Sequence, residues 1–154
     1  MAFAVIRVRG NIDTRHDIGD TLTLLRLNRI NHCVVIPQND VYRGMLQKAK
    51  DYITWGEVSD ETLSKMIQAR GRLSGDRIID DAYIAENTSY EDMDAFAKGI
   101  IAGEIKYADL KDVKPLFRLH PPKQGYEGVK RPFTLKGALG YRGEKINILI
   151  ERML

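Results

Sequence analysis

The chain has 154 residues, of which 44% are hydrophobic, and a formal net charge of +3. A chain of this length can bury a core, either as one domain or as a small domain with an extension, and its composition is ordinary for a globular protein. No apolar run reaches the roughly 18–20 residues of a membrane span, and the start of the chain lacks the long apolar block of a signal peptide. We therefore expect a cytoplasmic protein that does not contact a membrane.

Strands and helices alternate over the first 58 residues. Apolar and basic residues alternate near the start of the chain, so that Ile6 and Val8 would lie on one face of a strand and Arg7 and Arg9 on the other. This pattern predicts a half-buried strand over residues 3–8. The next segments predict a helix that ends near residue 27, a strand over 31–37, a helix capped by Asn39 or Asp40, and a strand over 52–58. This order predicts a compact β-α-β-α-β domain over residues 1–58.

Residues 59–154 are predicted to form a C-terminal extension. It opens with a short amphipathic helix that has Ser59 as its N-cap and Gly71 as its stop. Residues 73–87 indicate only turns and short extended pieces, and Thr88 and Glu91 have the spacing of a capping box before a second helix. Regular periodicity disappears after residue 114 and returns in INILIERM, which predicts a terminal strand or helix.

Catalytic and metal-binding motifs are not recognisable in the sequence. Cys33 is the single cysteine, which excludes an internal disulfide, and its apolar neighbours predict a buried, inert thiol. The histidines His16, His32 and His120 do not have metal-ligand spacing, and no glycine-rich segment has the spacing of a phosphate loop. We therefore expect no enzyme, no cofactor, no metal and no small-molecule substrate.

The charge is segregated along the chain. Residues 76–110 hold nine acidic and three basic residues, a net charge of −6, whereas residues 114–145 hold eight basic and two acidic residues, a net charge of +6. Such asymmetry indicates either that one face binds a polyanion or that two solvated segments of opposite sign pair with each other.

Two basic groups are candidates for nucleic-acid contacts. The first surrounds the predicted helix-to-strand corner and continues on the second helix, with Arg26, Arg29, Asn31, His32, Arg43 and Lys48. The second is the segment over residues 118–145, in which two prolines stiffen a basic chain and glycines alternate with aromatic residues. Basic side chains neutralise phosphates and aromatic rings stack on bases, but a solvated helix face and a mobile surface loop remain the alternatives.

Four short motifs identify a resemblance to a known family. They are R-x-N-H (Arg29–His32), Y-R-G-M (Tyr42–Met45), W-G-E (Trp55–Glu57) and G-x-L-G (Gly137–Gly140). The sequence resembles the large-subunit ribosomal protein L-thirty family, called L-seven in eukaryotes, and its length is similar to that of the archaeal form. The resemblance spans nearly all 154 residues.

The resemblance implies an α+β fold, a β-α-β-α-β core with a three-stranded antiparallel sheet and helices on one face. It also implies a structural place in the large ribosomal subunit against ribosomal RNA, near the 5S RNA and neighbouring ribosomal proteins, with the acidic segment facing solvent or another protein. The RNA-binding residues predicted from both arguments are Arg26, Arg29, Asn31, His32, Arg43, Gly44, Lys48, Arg118, His120, Lys123, Lys130, Arg131, Lys136 and Arg142. The alternative is a small β-α-β metabolite-binding or dimerisation module.

Overall fold

Strand β1 (Ala2–Arg7) lies inside a sheet, and all six of its residues are buried. The computed structural model describes residues 1–154, and the other strands are β2 (His32–Pro37), β3 (Ile53–Glu57), β4 (Phe117–Arg118), β5 (Gly128–Pro132) and β6 (Gly137–Tyr141). The order across the six-stranded sheet is β4-β2-β1-β3-β6-β5. The first strand is therefore fully buried rather than half-buried as predicted, because both faces of the sheet are covered.

Strands β1, β2 and β3 form the antiparallel part of the sheet. Val5 of β1 lies opposite Val34 on one side and opposite Trp55 on the other. The predicted α+β class is confirmed, but the sheet is mixed and has six strands instead of three. Strand β4 pairs antiparallel with β2, and β6 and β5 add parallel pairs beyond β3. No alternating pattern marks these strands, because β4 has two residues and β5 is exposed along its whole length.

Six helices flank the sheet: α1 (His16–Leu24), α2 (Asp40–Lys48), α3 (Asp60–Arg70), α4 (Asp81–Asn87), α5 (Met93–Ala102) and α6 (Ile146–Met153). The caps predicted at Asn39 and Ser59 are confirmed, since their side chains accept hydrogen bonds from the amides of Tyr42 and Thr62 at 2.8 and 3.2 Å. Helix α1 ends earlier than predicted. None of the six helices is long and apolar enough to cross a membrane.

Different helices cover the two faces of the sheet. Phe3 and Val5 pack with α1 and α2 in one hydrophobic cluster, whereas Ala4 and Ile6 pack with residues of α3, α5 and α6 in a second. Helices α1 and α2 therefore lie on one face, as predicted for residues 1–58, and the extension covers the other face. The division of the chain at residue 58 stays a prediction, because both segments contribute strands to the same sheet.

Helices α4 and α5 begin at aspartates. The connector predicted over residues 73–87 contains α4, whose N-cap Asp80 accepts a hydrogen bond from the amide of Tyr83 at 2.8 Å. The cap predicted at Thr88 is wrong. Helix α5 begins after Asp92, which accepts from the amide of Ala95 at 2.7 Å, whereas the hydroxyl of Thr88 donates to a carbonyl at the end of α4.

The C-terminal segment INILIERM forms helix α6, so the alternative of a terminal strand is wrong. Its buried side chains, Ile146, Leu149, Ile150 and Met153, have the i, i+3, i+4, i+7 spacing of one helical face. Helix α6 packs against α3 and β3. The apolar residues of this segment fit both a helical and a strand periodicity, and the packing favours the helix.

Candidate nucleic-acid interface

One end of the sheet gathers most of the predicted residues. From the strand directions, β1 and β4 finish at this end, and β2, β3, β5 and β6 start there. We call it the basic end. The α1–β2 corner, the chain that leaves β4, and the chain that enters β5 and β6 all lie there, so the topology joins residues that are about 100 positions apart in sequence.

His32 shows that the two predicted basic groups meet at the basic end. It is the first residue of β2 and lies opposite Arg118 of β4. Burial lowers the pKa of its imidazole, and the positive charges of Arg29, Arg118 and Arg7 lower the pKa further. The imidazole is therefore neutral at physiological pH, and its Nδ1 is buried without a hydrogen-bond partner.

Arg7 organises this corner, although it was not among the predicted site residues. Its buried guanidinium donates to the carbonyls of Arg9 and Leu27 at 2.8 and 2.7 Å, and to the side-chain oxygen of Asn11. Burial lowers its pKa. These bonds fix the loop after β1 and the end of the α1–β2 connection, so Arg7 positions the neighbouring residues instead of facing solvent.

Asn31 joins the corner to the second basic group. It adopts a left-handed conformation with φ of 68°, which asparagine tolerates better than most residues. Its side-chain oxygen accepts a hydrogen bond from the hydroxyl of Tyr126 at 2.6 Å, and its carbonyl accepts from the amide of Leu119 at 3.2 Å. Asn31 therefore holds the fold together at the position where an RNA contact was predicted.

The segment that follows β4 packs on the rest of the protein, so it is not the mobile surface loop that the sequence left as an alternative. Leu119 and Pro122 are buried, and the amides of His120 and Lys123 donate to carbonyls at the end of α6, at 3.0 and 2.9 Å. Arg152 of α6 donates back to carbonyls of the same segment. This anchoring presents the exposed side chains of His120 and Lys123 at the basic end.

Five predicted cations at or next to the basic end are exposed, and their side chains have neither an ion pair nor a hydrogen bond within the chain. They are Arg29, Lys123, Lys130, Arg131 and Lys136. Two of them lie on β5, the exposed edge strand, and Lys136 adopts a left-handed conformation with φ of 62° just before β6. This arrangement leaves a group of positive charges available to an anionic partner.

Another predicted cation, Arg118, is occupied inside the chain. Arg118 and Lys114 both pair with Asp76, at 2.5 and 2.6 Å, and these bonds lower the pKa of that carboxyl group. Asp76 is the one residue of the acidic segment that forms salt bridges with the basic segment. The pairing of the two segments, an alternative left open by the sequence, is thus limited to this contact.

Arg142 is buried inside the chain and is not accessible to an RNA partner. Its side chain is 3% exposed, and it donates to the hydroxyl of Thr54 and the carbonyl of Ala138, both at 2.8 Å. The guanidinium also lies 5.0 Å from the centre of the Phe133 ring, and burial lowers its pKa. Arg142 therefore stabilises the junction of β3 and β6, and we leave it out of the candidate interface.

The α2 residues and Arg26 lie away from the basic end or at its margin. Arg43 is 3.5 Å from Gln38, which follows the far end of β2, and 3.9 Å from Asp40. Arg26 lines a separate cleft with Lys106 and Pro115 along the edge of β2. Lys48, in the last turn of α2, is 3.9 Å from Asp17. Gly44 is exposed, with no atom within 4 Å of the position of a Cβ.

The aromatic residues of the basic segment are engaged internally. Burial raises the pKa of the Tyr126 hydroxyl, which bonds to Asn31. Tyr141 donates to a Glu57 carboxylate oxygen at 2.5 Å, and Phe133 is half-buried beneath Arg142. Tyr126 and Phe133 are therefore not free to stack on a base in the way that the sequence pattern indicates, whereas the Tyr141 residue is 48% exposed beside Phe3 and Trp55.

Cys33 is fully buried, as predicted, and burial raises the pKa of its thiol. The thiol group is therefore protonated, which makes it a poor nucleophile. No group of three or more histidine, cysteine, aspartate or glutamate side chains is arranged to hold a metal ion.

Comparisons with known proteins agree with the motifs. The family model described as ribosomal protein L30p/L7e matches residues 3–53. The chain is 53% identical to the large ribosomal subunit protein uL30 of Methanobrevibacter smithii over 152 residues, 99% of each chain. It is 51% identical over the full length of both chains to the protein of the same name from Methanococcus vannielii. The protein of that name from Methanoculleus marisnigri is 46% identical over 98% of this chain and 99% of its own.

Proposed function

The chain belongs to the ribosomal protein L30p/L7e family, and from this membership we propose that it is a structural constituent of the large ribosomal subunit. The relatives that match nearly the whole chain carry the name of a large ribosomal subunit protein. This similarity supports the ribosomal function over the alternative of a metabolite-binding or dimerisation module, which the β-α-β topology alone left open.

The basic end is the proposed contact surface for large-subunit ribosomal RNA. The observation that carries this proposal is the group of exposed cations around Lys130 and Arg131 that lack any acidic partner in the chain. Unpaired cations on a folded surface repel one another, and phosphate groups would neutralise them with release of counterions. Arg7 and Asn31 hold the backbone of this surface in place, which lowers the conformational entropy lost on binding.

We propose that the protein acts in cytoplasmic ribosomes, near the 5S RNA, and that it catalyses no reaction. The acidic segment would face solvent or another ribosomal protein, because its charge opposes contact with RNA. The α2 surface around Arg43, Gly44 and Lys48 would form a second, smaller RNA contact, separate from the basic end.

Sedimentation of a cell extract in a sucrose gradient tests the proposed function. We expect the protein to migrate with large subunits and to remain there after a moderate salt wash. A protein that stays at the top of the gradient, while other large-subunit proteins migrate with the subunit, would contradict the proposal.

A further inference from the structure

An apolar cleft opens beside the unpaired cations of the basic end. Four chain segments line it: the loop after β1, with Val8, Arg9, Gly10, Ile12 and Asp13; Ile30 before β2; Tyr52 before β3; and Val129 of β5. Its volume of about 510 Å³ lies in the range of small-ligand sites. Because the segments come from distant parts of the sequence, the cleft exists only in the folded chain.

The cleft is lined by aliphatic side chains that face solvent. Ile12 is 89% exposed, Ile30 is 46% exposed and Val129 is 42% exposed. Single exposed aliphatic residues are common on protein surfaces, but a group of them in one concave site marks a binding surface. The Cδ1 atom of Ile30 lies 3.5 Å from the position of a Cβ on Gly10, so the loop and the corner are in close contact.

Arg9 is the one cation among the lining residues of the cleft, and two more cations are neighbours of its aliphatic residues in the sequence. The guanidinium of Arg9 lies 5.1 Å from the centre of the Tyr52 ring and donates to the carbonyl of Asp51. Arg29 precedes Ile30 in the sequence, and Lys130 follows Val129. Asp13 is the one carboxylate among the lining residues.

From this arrangement we propose that the cleft binds unstacked bases of ribosomal RNA, at a bulge, loop or junction. The faces of a base pack on aliphatic side chains and on a guanidinium plane, while its neighbouring phosphates reach Arg9 and the exposed cations of the basic end. A paired RNA helix hides its base faces, and an apolar peptide would leave the cations without an anion. The inference rests on the proposed binding to ribosomal RNA and specifies which part of the RNA this surface takes.

The test is binding of the full chain to deproteinised large-subunit ribosomal RNA at several salt concentrations. The variant Ile12→Ala/Ile30→Ala should bind at least about fivefold more weakly, the effect of losing one base stack, without a change in the salt dependence. The control is Ile148→Ala, an exposed isoleucine of α6 outside the cleft, which should bind like the wild type. Dimethyl sulfate probing should show bases that the wild type protects and the double variant does not.

Three outcomes would overturn this proposal. If the double variant retains wild-type affinity and the full set of protected bases, the cleft does not hold a base, while the proposed function stands. The double variant could instead bind RNA normally and lose a large-subunit protein partner, which would make the cleft a protein contact. Failure of the wild-type chain itself to bind the RNA would contradict both this inference and the proposed function.

Discussion

The acidic and basic segments differ in what their charges do inside the chain. Seven of the nine acids over residues 76–110 have partners within the fold, as helix caps, hydrogen-bond acceptors or ion pairs: Asp76, Asp80, Asp81, Asp92, Asp94, Glu104 and Asp109. By contrast, four of the eight bases over residues 114–145 have none: Lys123, Lys130, Arg131 and Lys136.

The acidic and the basic segment therefore carry their charges for different reasons. The carboxylates are explained by the fold, because the first turns of α4 and α5 need acceptors for their free amides. The unpaired cations are not explained by the fold, and they lie together at one end of the sheet. Loss of the acids should therefore change stability, whereas loss of the exposed bases should change RNA binding.

Arg142 is the strongest exception to this comparison, because it is a base of the basic segment with a structural role. Arg142→Ala should lower the free energy of unfolding by about 3 kcal/mol, since buried acceptors at Thr54 and Ala138 lose their donor. Urea unfolding measures this change. The control Arg131→Ala, an exposed residue, should stay within about 0.5 kcal/mol of the wild type. Equal losses in both variants would contradict the distinction between buried and exposed bases.

Asp92 tests whether the acidic side chains stabilise the fold. Asp92→Ala should lower the free energy of unfolding by about 1 kcal/mol, because the first turn of α5 loses its cap at the amide of Ala95. Thermal or urea unfolding gives the value. Glu91→Ala is the matched control, as the side chain of Glu91 is exposed and accepts no hydrogen bond in the chain. Weaker RNA binding by Asp92→Ala at unchanged stability would count against a purely structural role.

Gly44 tests whether α2 contacts RNA. Gly44→Ala should raise the free energy of unfolding by about 0.5–1 kcal/mol, because glycine is a poor helix former and nothing in the chain lies near the new methyl group. The same holds for the control Gly19→Ala in α1. If RNA approaches α2 closely, Gly44→Ala should nevertheless bind more weakly and Gly19→Ala should not. Identical RNA affinities of the two variants would remove Gly44 from the proposed contact.

His32 adds the smallest effect, a dependence of stability on pH. Its pKa is lowered in the folded protein by burial and by Arg29, Arg118 and Arg7, so the unfolded chain binds a proton more readily. The contribution of neutral His32 is complete above the unfolded pKa, near 6.5, and decreases as the pH falls from there toward the folded pKa. Unfolding of wild type and His32→Gln between pH 7 and 5 should show a steeper loss in the wild type. Parallel curves would contradict this assignment.

The sequence predicted those parts of the fold that depend on interactions between residues close together in the chain. Strands β1 to β3 have clear apolar runs, and Asn39 and Ser59 cap helices as expected from their side chains. Helix α6 was ambiguous because Ile146, Ile148 and Ile150 alternate while Ile146, Leu149 and Met153 follow a helical period. Tertiary packing of the buried set decided it.

The residue types of the candidate site were predictable from the sequence, but their arrangement in space was not. The sequence indicated a basic surface, yet Arg142 and Arg131 look alike in it, and only long-range contacts bury the first and expose the second. The positioning role of Arg7 was missed for the same reason. Its partners at Leu27 and Asn11 come from the loop and connection that fold around it.

The salt dependence of RNA binding shows whether the unpaired cations of the basic end contact phosphate groups. The variant Lys130→Ala/Arg131→Ala/Lys136→Ala is compared with the control Lys98→Ala/Lys106→Ala/Lys111→Ala, which removes three exposed lysines elsewhere. Binding to deproteinised large-subunit ribosomal RNA is measured over a series of salt concentrations. We expect the first variant to reduce the slope of log affinity against log salt by about 2–3, at roughly 0.7–0.9 per lost phosphate contact, and the control to leave it unchanged. Equal slopes for the two variants would show that these three cations do not contact phosphates.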